Sequence, residues 1–335
     1  MRFLRRILRY TLALALVLVP TAQANRNVIY GVNDVSFDSY WATMGPAIVG
    51  LGIDQIGVWV RWHCDRDAAP SWIDSLSDNL DAIPPTQAAM VQLIGHPACT
   101  PHTRLERQRY ARAARDVVRS HPNVRELQVW NEPELWFWRG TIREYTLLLA
   151  AVHDALRGTG VKVLGPGFSP SGTLAWSSFN YASFAADVRD YYRASGRRRQ
   201  ILDGFAYHPY WGYERKPTRQ IAKVLNAWWE DIPQCPPARG LRFWWTETGK
   251  EGTTPGVIQS RSSYWSSVHM IGTPEQQAQR VAYIAWRART DPLIVADFNF
   301  QLVDDRDPDR WQSGLYYIDG EPKPAFYAFQ AAIRH

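Results

Sequence analysis

The chain has 335 residues, 46% of them hydrophobic, which is enough for one large domain or two small ones. The formal charge is +6, but Arg2, Arg5, Arg6 and Arg9 carry four of those charges and leave +2 over residues 25–335. The basic balance is therefore mostly a feature of the N-terminus and gives no support to nucleic-acid binding.

Those four arginines precede Thr11-Leu-Ala-Leu-Ala-Leu-Val-Leu-Val19, an apolar run too short to span a bilayer comfortably. Ala22-Gln23-Ala24 has a small-x-small cleavage pattern. Residues 1–24 thus read as a secretory signal peptide, with residues 25–335 as a single mature domain in the periplasm, at the cell surface or outside the cell. No cysteine follows the apolar run, so a lipid anchor is not expected, and no later segment looks transmembrane, so no membrane partner is expected after cleavage. Three cysteines remain, Cys64, Cys99 and Cys235, and an odd count leaves at least one thiol unpaired or paired between molecules.

Along the mature chain, short apolar runs alternate with amphipathic segments. Strands are predicted over residues 28–34, 53–62, 88–96, 124–132, 161–167, 203–211, 241–248 and 293–301. Helices are predicted between them. Leu105–Ser120 has apolar residues at helical spacing, and Thr141-Ile-Arg-Glu144 is a capping box opening a helix that Gly158 and Gly160 end. Residues 180–194 and 218–230 are further helix candidates. Thr273-Pro274-Glu-Gln276 starts another helix, and residues 324–333 form the last. Eight strands, each followed by a helix or a long loop, predict an α/β fold, a single (β/α)8 TIM barrel. An open doubly wound sheet would need a Gly-rich phosphate loop or a clear domain break, and neither is visible.

In such barrels the chemistry gathers where the strands end. Strand two offers Trp59 and Arg61, with His63 just beyond, and strand three ends at His96. Strand four ends at Asn131 and Glu132, in Val129-Trp-Asn-Glu-Pro133, where Pro133 stops the ladder. Strand six offers His208, Tyr210 and Trp211; strand seven offers Glu247; strand eight offers Asp297, Asn299 and Gln301. Phe243, Trp245 and Glu247 share parity and are expected on one side of strand seven. Two carboxyls with an arginine, a tyrosine and an amide match retaining glycoside hydrolysis, in which one carboxyl is protonated and one ionised. Arg61 and the Tyr210 hydroxyl would keep Glu247 anionic, while Glu132, near apolar Trp130 and Pro133, would keep its proton. Glu134, Glu144 and Glu251 read as solvated or capping acids.

Trp130-Asn-Glu-Pro133 on a fourth strand, with Thr246-Glu247 on a seventh, resembles the clan A glycoside hydrolases, in the flavour of families 5 and 39. The His208-Pro-Tyr210 segment and the tail Gly314–Tyr327 are similar to the clan's pattern too. The resemblance implies a retaining double displacement, with Glu132 as acid/base and Glu247 as nucleophile. It also implies that Asn131 binds the sugar 2-hydroxyl and that Arg61 and Tyr210 orient the nucleophile. The clan often ends strand eight with a tryptophan under the bound sugar, where this chain has Asp297-Phe-Asn-Phe-Gln301.

Of the tryptophans that could stack on sugar faces, Trp211 and Trp138 are the two singled out. Cys64 and Cys99 fall in neighbouring loops after strands two and three, and a disulfide between them is expected. His63, Asp65, His96, His102 and His208 show no metal-binding spacing, so neither metal nor cofactor is expected. The expected partner is a β-linked poly- or oligosaccharide substrate. The alternatives are a sugar-binding barrel without catalysis, serving polysaccharide recognition or export, and a transglycosylase.

Overall fold

A computed structural model of the chain describes residues 27–35, 44, 45, 48, 50–64, 80–170, 178–210, 215–230, 232, 240–252, 271–307 and 311–334. The expected signal peptide, Asp65, Trp211, Cys235 and most of residues 249–272 lie outside them.

Eight parallel strands close into a barrel. They are β1 (Ile29–Asp34), β2 (Gln55–Trp62), β3 (Ala88–Gly95), β4 (Val124–Val129), β5 (Lys162–Phe168), β6 (Gly204–Tyr207), β7 (Phe243–Thr248) and β8 (Ile294–Phe300). Each pairs with its sequence neighbour, and β8 pairs with β1 to complete the ring. The described helices are α1 (Arg104–Ser120), α2 (Ile142–Ala155), α3 (Tyr181–Ser195), α4 (Arg215–Trp229), α5 (Pro274–Thr290) and α6 (Pro324–Ile333). None is long and apolar enough to cross a membrane. The chain is thus a (β/α)8 barrel.

Local chemistry sets the boundaries. Thr103 with Glu106, Thr141 with Glu144, Asn180 with Ser183 and Thr273 with Gln276 form reciprocal capping boxes that satisfy the first amides of α1, α2, α3 and α5. Gly196 closes α3 in the left-handed conformation at φ 61°.

Strand alternation makes two cores. Met90, Leu164, Ala206, Trp244, Ala296 and Phe298 fill the barrel interior. The opposite faces, such as Val91, Leu127, Phe205 and Trp245, pack against the helices. The interior accommodates two large rings because Phe298 lies against Gly31 and Trp244 against Gly204, where a Cβ would collide with them. Above this floor a smaller aromatic group, Trp59, Ile94, Tyr210 and Phe300, with Val35, Phe137 and Trp311 against it, lines the mouth. Cys64 and Cys99 are joined by a disulfide with Cα atoms 5.6 Å apart, tying the loop after β2 to the loop after β3.

Candidate active site

The end of β4 is held by tyrosines from two helices. The Tyr145 hydroxyl, from α2, donates to the Val129 carbonyl at 2.6 Å. The Tyr110 hydroxyl, from α1, donates to the Leu93 carbonyl and accepts the Trp130 amide at 3.2 Å. The chain then leaves the ladder sharply, with φ 65° at Trp130 and 39° at Glu132. Left-handed backbone at such residues costs on the order of 1–3 kcal/mol each and persists only where the surroundings impose it. Here they do: the Glu132 amide donates to the Gly167 carbonyl at 3.2 Å and the Trp130 indole donates to the Phe137 carbonyl at 2.9 Å. Asn131 and Glu132 therefore stand just beyond the strand, in an irregular turn.

Glu247 reaches the mouth by a different device. Trp245 faces α4, where its indole donates to Thr218 at 3.3 Å. Glu247, with the same parity, instead meets Gln92 from β3 and Tyr210 from beyond β6. Against β8, Asp297 pairs with Trp245 but Asn299 pairs with Thr248, so β7 carries an extra residue between them. This bulge turns Glu247 inward, and the expectation that it shares a side with Phe243 and Trp245 is corrected accordingly.

The two carboxyls meet at one imidazole. His208 Nδ1 lies 2.9 Å from Glu132 Oε1 and 3.5 Å from Glu247 Oε2. One oxygen of each acid and a ring nitrogen of His208 all lie within 4.8 Å of one another. Glu247 also accepts from the Tyr210 hydroxyl at 3.0 Å and from the Gln92 amide at 3.2 Å. The same three residues are the cluster that could hold a metal ion among those described.

Burial dominates the electrostatics. It pushes the Glu132 carboxyl up to about 8. It pushes Glu247 up to about 7, with Glu132 adding to the rise and His208, Gln92 and Tyr210 opposing it. Glu247 has more donors than Glu132, which favours its anion. Burial also lowers the His208 pKa, so its imidazole is neutral at pH 7, although the Glu247 charge pulls the other way.

Other expected residues are distributed as follows. Asn131 is buried, and its Oδ1 is 3.5 Å from the Gln128 amide nitrogen. Arg61 is buried near the end of β2. His63 is exposed, and His96 accepts the Ala98 amide to cap a 3-10 turn. Asp297 accepts from Thr248 of β7, while Asn299 and, just past β8, Gln301 bond to Ser313 and brace the segment that follows the strand.

Trp138 is a correction. Its ring is wedged between Trp130 and Tyr145, at centroid distances of 5.3 and 5.4 Å, and is too buried to meet a sugar face. The exposed ring in that loop is Trp136, stacked on Phe137 at 4.2 Å. Glu134 and Glu251 are corrections as well. Glu134 accepts the Ser169 amide at 2.6 Å and is raised well above the carboxylate range by burial and by Glu132. Glu251 is buried, with its charge felt by Asp304 and Lys323. Gln92 and Gln128 were missed. For Gln92 the available signal was an amide on the inward parity of an otherwise apolar strand, with Met90 two residues before it on the barrel axis.

No protein-family model matches the sequence, and no curated protein does. The likeness is in the fold. A family 39 glycoside hydrolase from the gut symbiont Bacteroides cellulosilyticus superposes with a TM-score of 0.63 at 19% identity, over 92% of this chain and 64% of that one. A GH5_18 protein from Bifidobacterium longum subsp. infantis gives 0.58 at 15% identity, over 92% and 78%. This is the clan A-like glycoside hydrolase fold. A GH2 β-galacturonidase from Eisenbergiella tayi shares it at a TM-score of 0.54 and 12% identity, over 92% of this chain and 51% of that one. The chain thus spans just under two thirds of the family 39 structure and about half of the galacturonidase.

Proposed function

We propose that the chain is a secreted, retaining glycoside hydrolase that cleaves a β-linked poly- or oligosaccharide. The observation that carries this reading is the approach of the Glu132 and Glu247 oxygens to within 4.8 Å, around one imidazole. Retaining enzymes hold their carboxyls about 5–5.5 Å apart, whereas inverting ones leave about 6.5–9.5 Å for a water.

In this reading the Glu247 carboxylate attacks the anomeric carbon while Glu132 gives its proton to the departing glycosidic oxygen. A glycosyl ester on Glu247 results, and the first sugar product leaves. Glu132, now ionised, takes a proton from water as that water attacks the anomeric carbon and frees Glu247. His208 fixes which oxygen of Glu132 acts. A neutral imidazole with its proton on Nδ1 donates to Oε1 and leaves the acidic proton on Oε2. That tautomer also makes the buried, unpartnered Nε2 an acceptor rather than a stranded donor. Tyr210 and Gln92 hold Glu247 through one oxygen each.

Following the anomeric signal of the first-formed product by NMR, on a panel of aryl β-glycosides and polysaccharides, tests the reading. A product with the substrate's configuration is expected. Inversion, or sugar binding without any product, overturns it. Sizing the products separates hydrolysis from transfer to a second sugar.

A further inference from the structure

A second concave site lies on the outer wall of the barrel. Helices α1 and α2 leave a groove of about 500 Å³ between them, with Ala111, Ala151 and Ala155 among its lining. Arg104, Arg107, Arg112 and Arg115 of α1 also line it. The first and last are 11 residues apart, so the charges extend about 16 Å along the helix.

Three of the acids near these arginines, Asp154, Glu106 and Glu144, are already engaged, while Asp116 on α1 is exposed and does not line the groove. Asp154, which lines the groove, is held by both arms of Arg197 at 2.9 Å and lies 3.7 Å from Arg199. Glu106 and Glu144 are taken up in the capping boxes of α1 and α2, and Glu144 also meets His102 at 3.2 Å. Arg107 donates to the Pro101 and His102 carbonyls. Arg104, Arg112 and Arg115 are exposed and form no ion pair among the described residues. Residues 25–335 carry only +2 overall, so this is a local concentration of charge rather than a generally basic surface.

We propose that this groove is a docking track for an acidic polysaccharide, gripped through its carboxylates by the four arginines. Guanidinium forks match carboxylates two bonds at a time. The lining has no aromatic ring on which a nucleobase would stack. The site is recessed between two helices, so a flat bilayer would meet only its rim. Both helices begin at the mouth end of the barrel, because each follows the end of its strand. A glycan lying in the groove therefore runs up towards Glu132 and Glu247. Only this direction rests on the glycoside hydrolase reading; the anion site does not.

Affinity electrophoresis of the full chain tests the track, with mobility compared in plain gels and in gels cast with polygalacturonate, a neutral β-glucan or single-stranded DNA. Retardation is expected in polygalacturonate alone. It should weaken by about tenfold or more in the Arg104→Gln/Arg112→Gln/Arg115→Gln variant, which loses three charge-assisted contacts. Arg119→Gln, on the same helix outside the groove, should be retarded like the wild type. The proposal is overturned by absent retardation, by an equal response of the triple variant at unchanged melting temperature, by loss of retardation in Arg119→Gln, or by stronger retardation in DNA. Turnover of a small aryl β-glycoside should be the same in wild type and triple variant. Retardation without any turnover by the wild type would leave the groove standing and remove the hydrolase reading.

Discussion

Two of the places where the molecule buries acids treat them differently. Beyond β8, Asp304 accepts the Lys323 ammonium at 2.6 Å and the Gly314 amide at 3.0 Å. The fully buried Lys323 also donates to the Gly252 and Gln312 carbonyls at 3.3 and 3.2 Å. This cluster pins the start of α6 to the loop after β8 and to the segment after β7. Burial raises Asp304 to about 6, with the lysine opposing. At the mouth, two carboxyls share one neutral imidazole and a few neutral donors, and burial lifts them to about 8 and 7. One site is made to stay charged and hold the chain together. The other gives its acids neutral donors only, with Glu132 on left-handed backbone, and protons that exchange near neutral pH. That contrast is what a catalytic pair requires and a structural one avoids.

Substitutions should separate the two sites. Glu247→Ala is expected to lower kcat by on the order of 10⁴-fold or more, because it removes the attacking atom, with added azide restoring part of the turnover. Its isostere Glu247→Gln should be similarly inactive yet at least as stable as the wild type. A carboxyl whose pKa is higher folded than unfolded contributes stability at low pH and loses it as the pH rises through the folded value. Differential scanning calorimetry should therefore show Glu247→Gln gaining more at about pH 8 than at about pH 5; a large loss of stability at pH 8 would refute the contrast. Glu132→Gln should reduce kcat by roughly 10²–10⁴-fold, and less for aryl glycosides whose leaving group needs no proton. Lys323→Met should do the reverse. Stranding Asp304 in the interior should cost about 3–5 kcal/mol in urea unfolding, with kcat on the folded fraction nearly unchanged.

Much of this contrast could be read in the sequence, and the exceptions are physical. The eight barrel strands and six helices fall within a few residues of their expected places, because four of the helices open on capping boxes and the rest of the pattern is short apolar runs alternating with amphipathic segments. Tyr210 contacts the Glu247 carboxyl, as expected of a hydroxyl that would keep that carboxyl anionic. What could not be read was how strands leave regularity. The bulge that turns Glu247 inward depends on the register against β8, which no local pattern encodes. The Trp130 and Glu132 turn depends on Tyr110 and Tyr145, hydroxyls that arrive from helices. Trp138 looked like a sugar platform because composition does not distinguish a ring in the core from a ring over a cleft. The burial of Lys323 carried no local signal, since its partners Asp304, Gly252 and Gln312 come from other segments.

The subtlest expected effect is at Tyr210. Under the proposed roles, kcat/KM rises with pH as Glu247 ionises near about 7 and falls as Glu132 loses its proton near about 8, giving a narrow bell. The Tyr210 hydroxyl donates to Glu247 Oε2 and favours its anion. In Tyr210→Phe that donor is gone, burial is less opposed, and the acid limb should move to higher pH while the alkaline limb stays. A hydrogen bond to a charged group contributes about 1.5–3 kcal/mol, so kcat/KM at neutral pH should fall by about tenfold or more. If Tyr210 merely packs against Phe300 and Trp311, activity would drop with both limbs in place, so a fixed acid limb would assign it to the mouth's aromatic wall and not to the nucleophile.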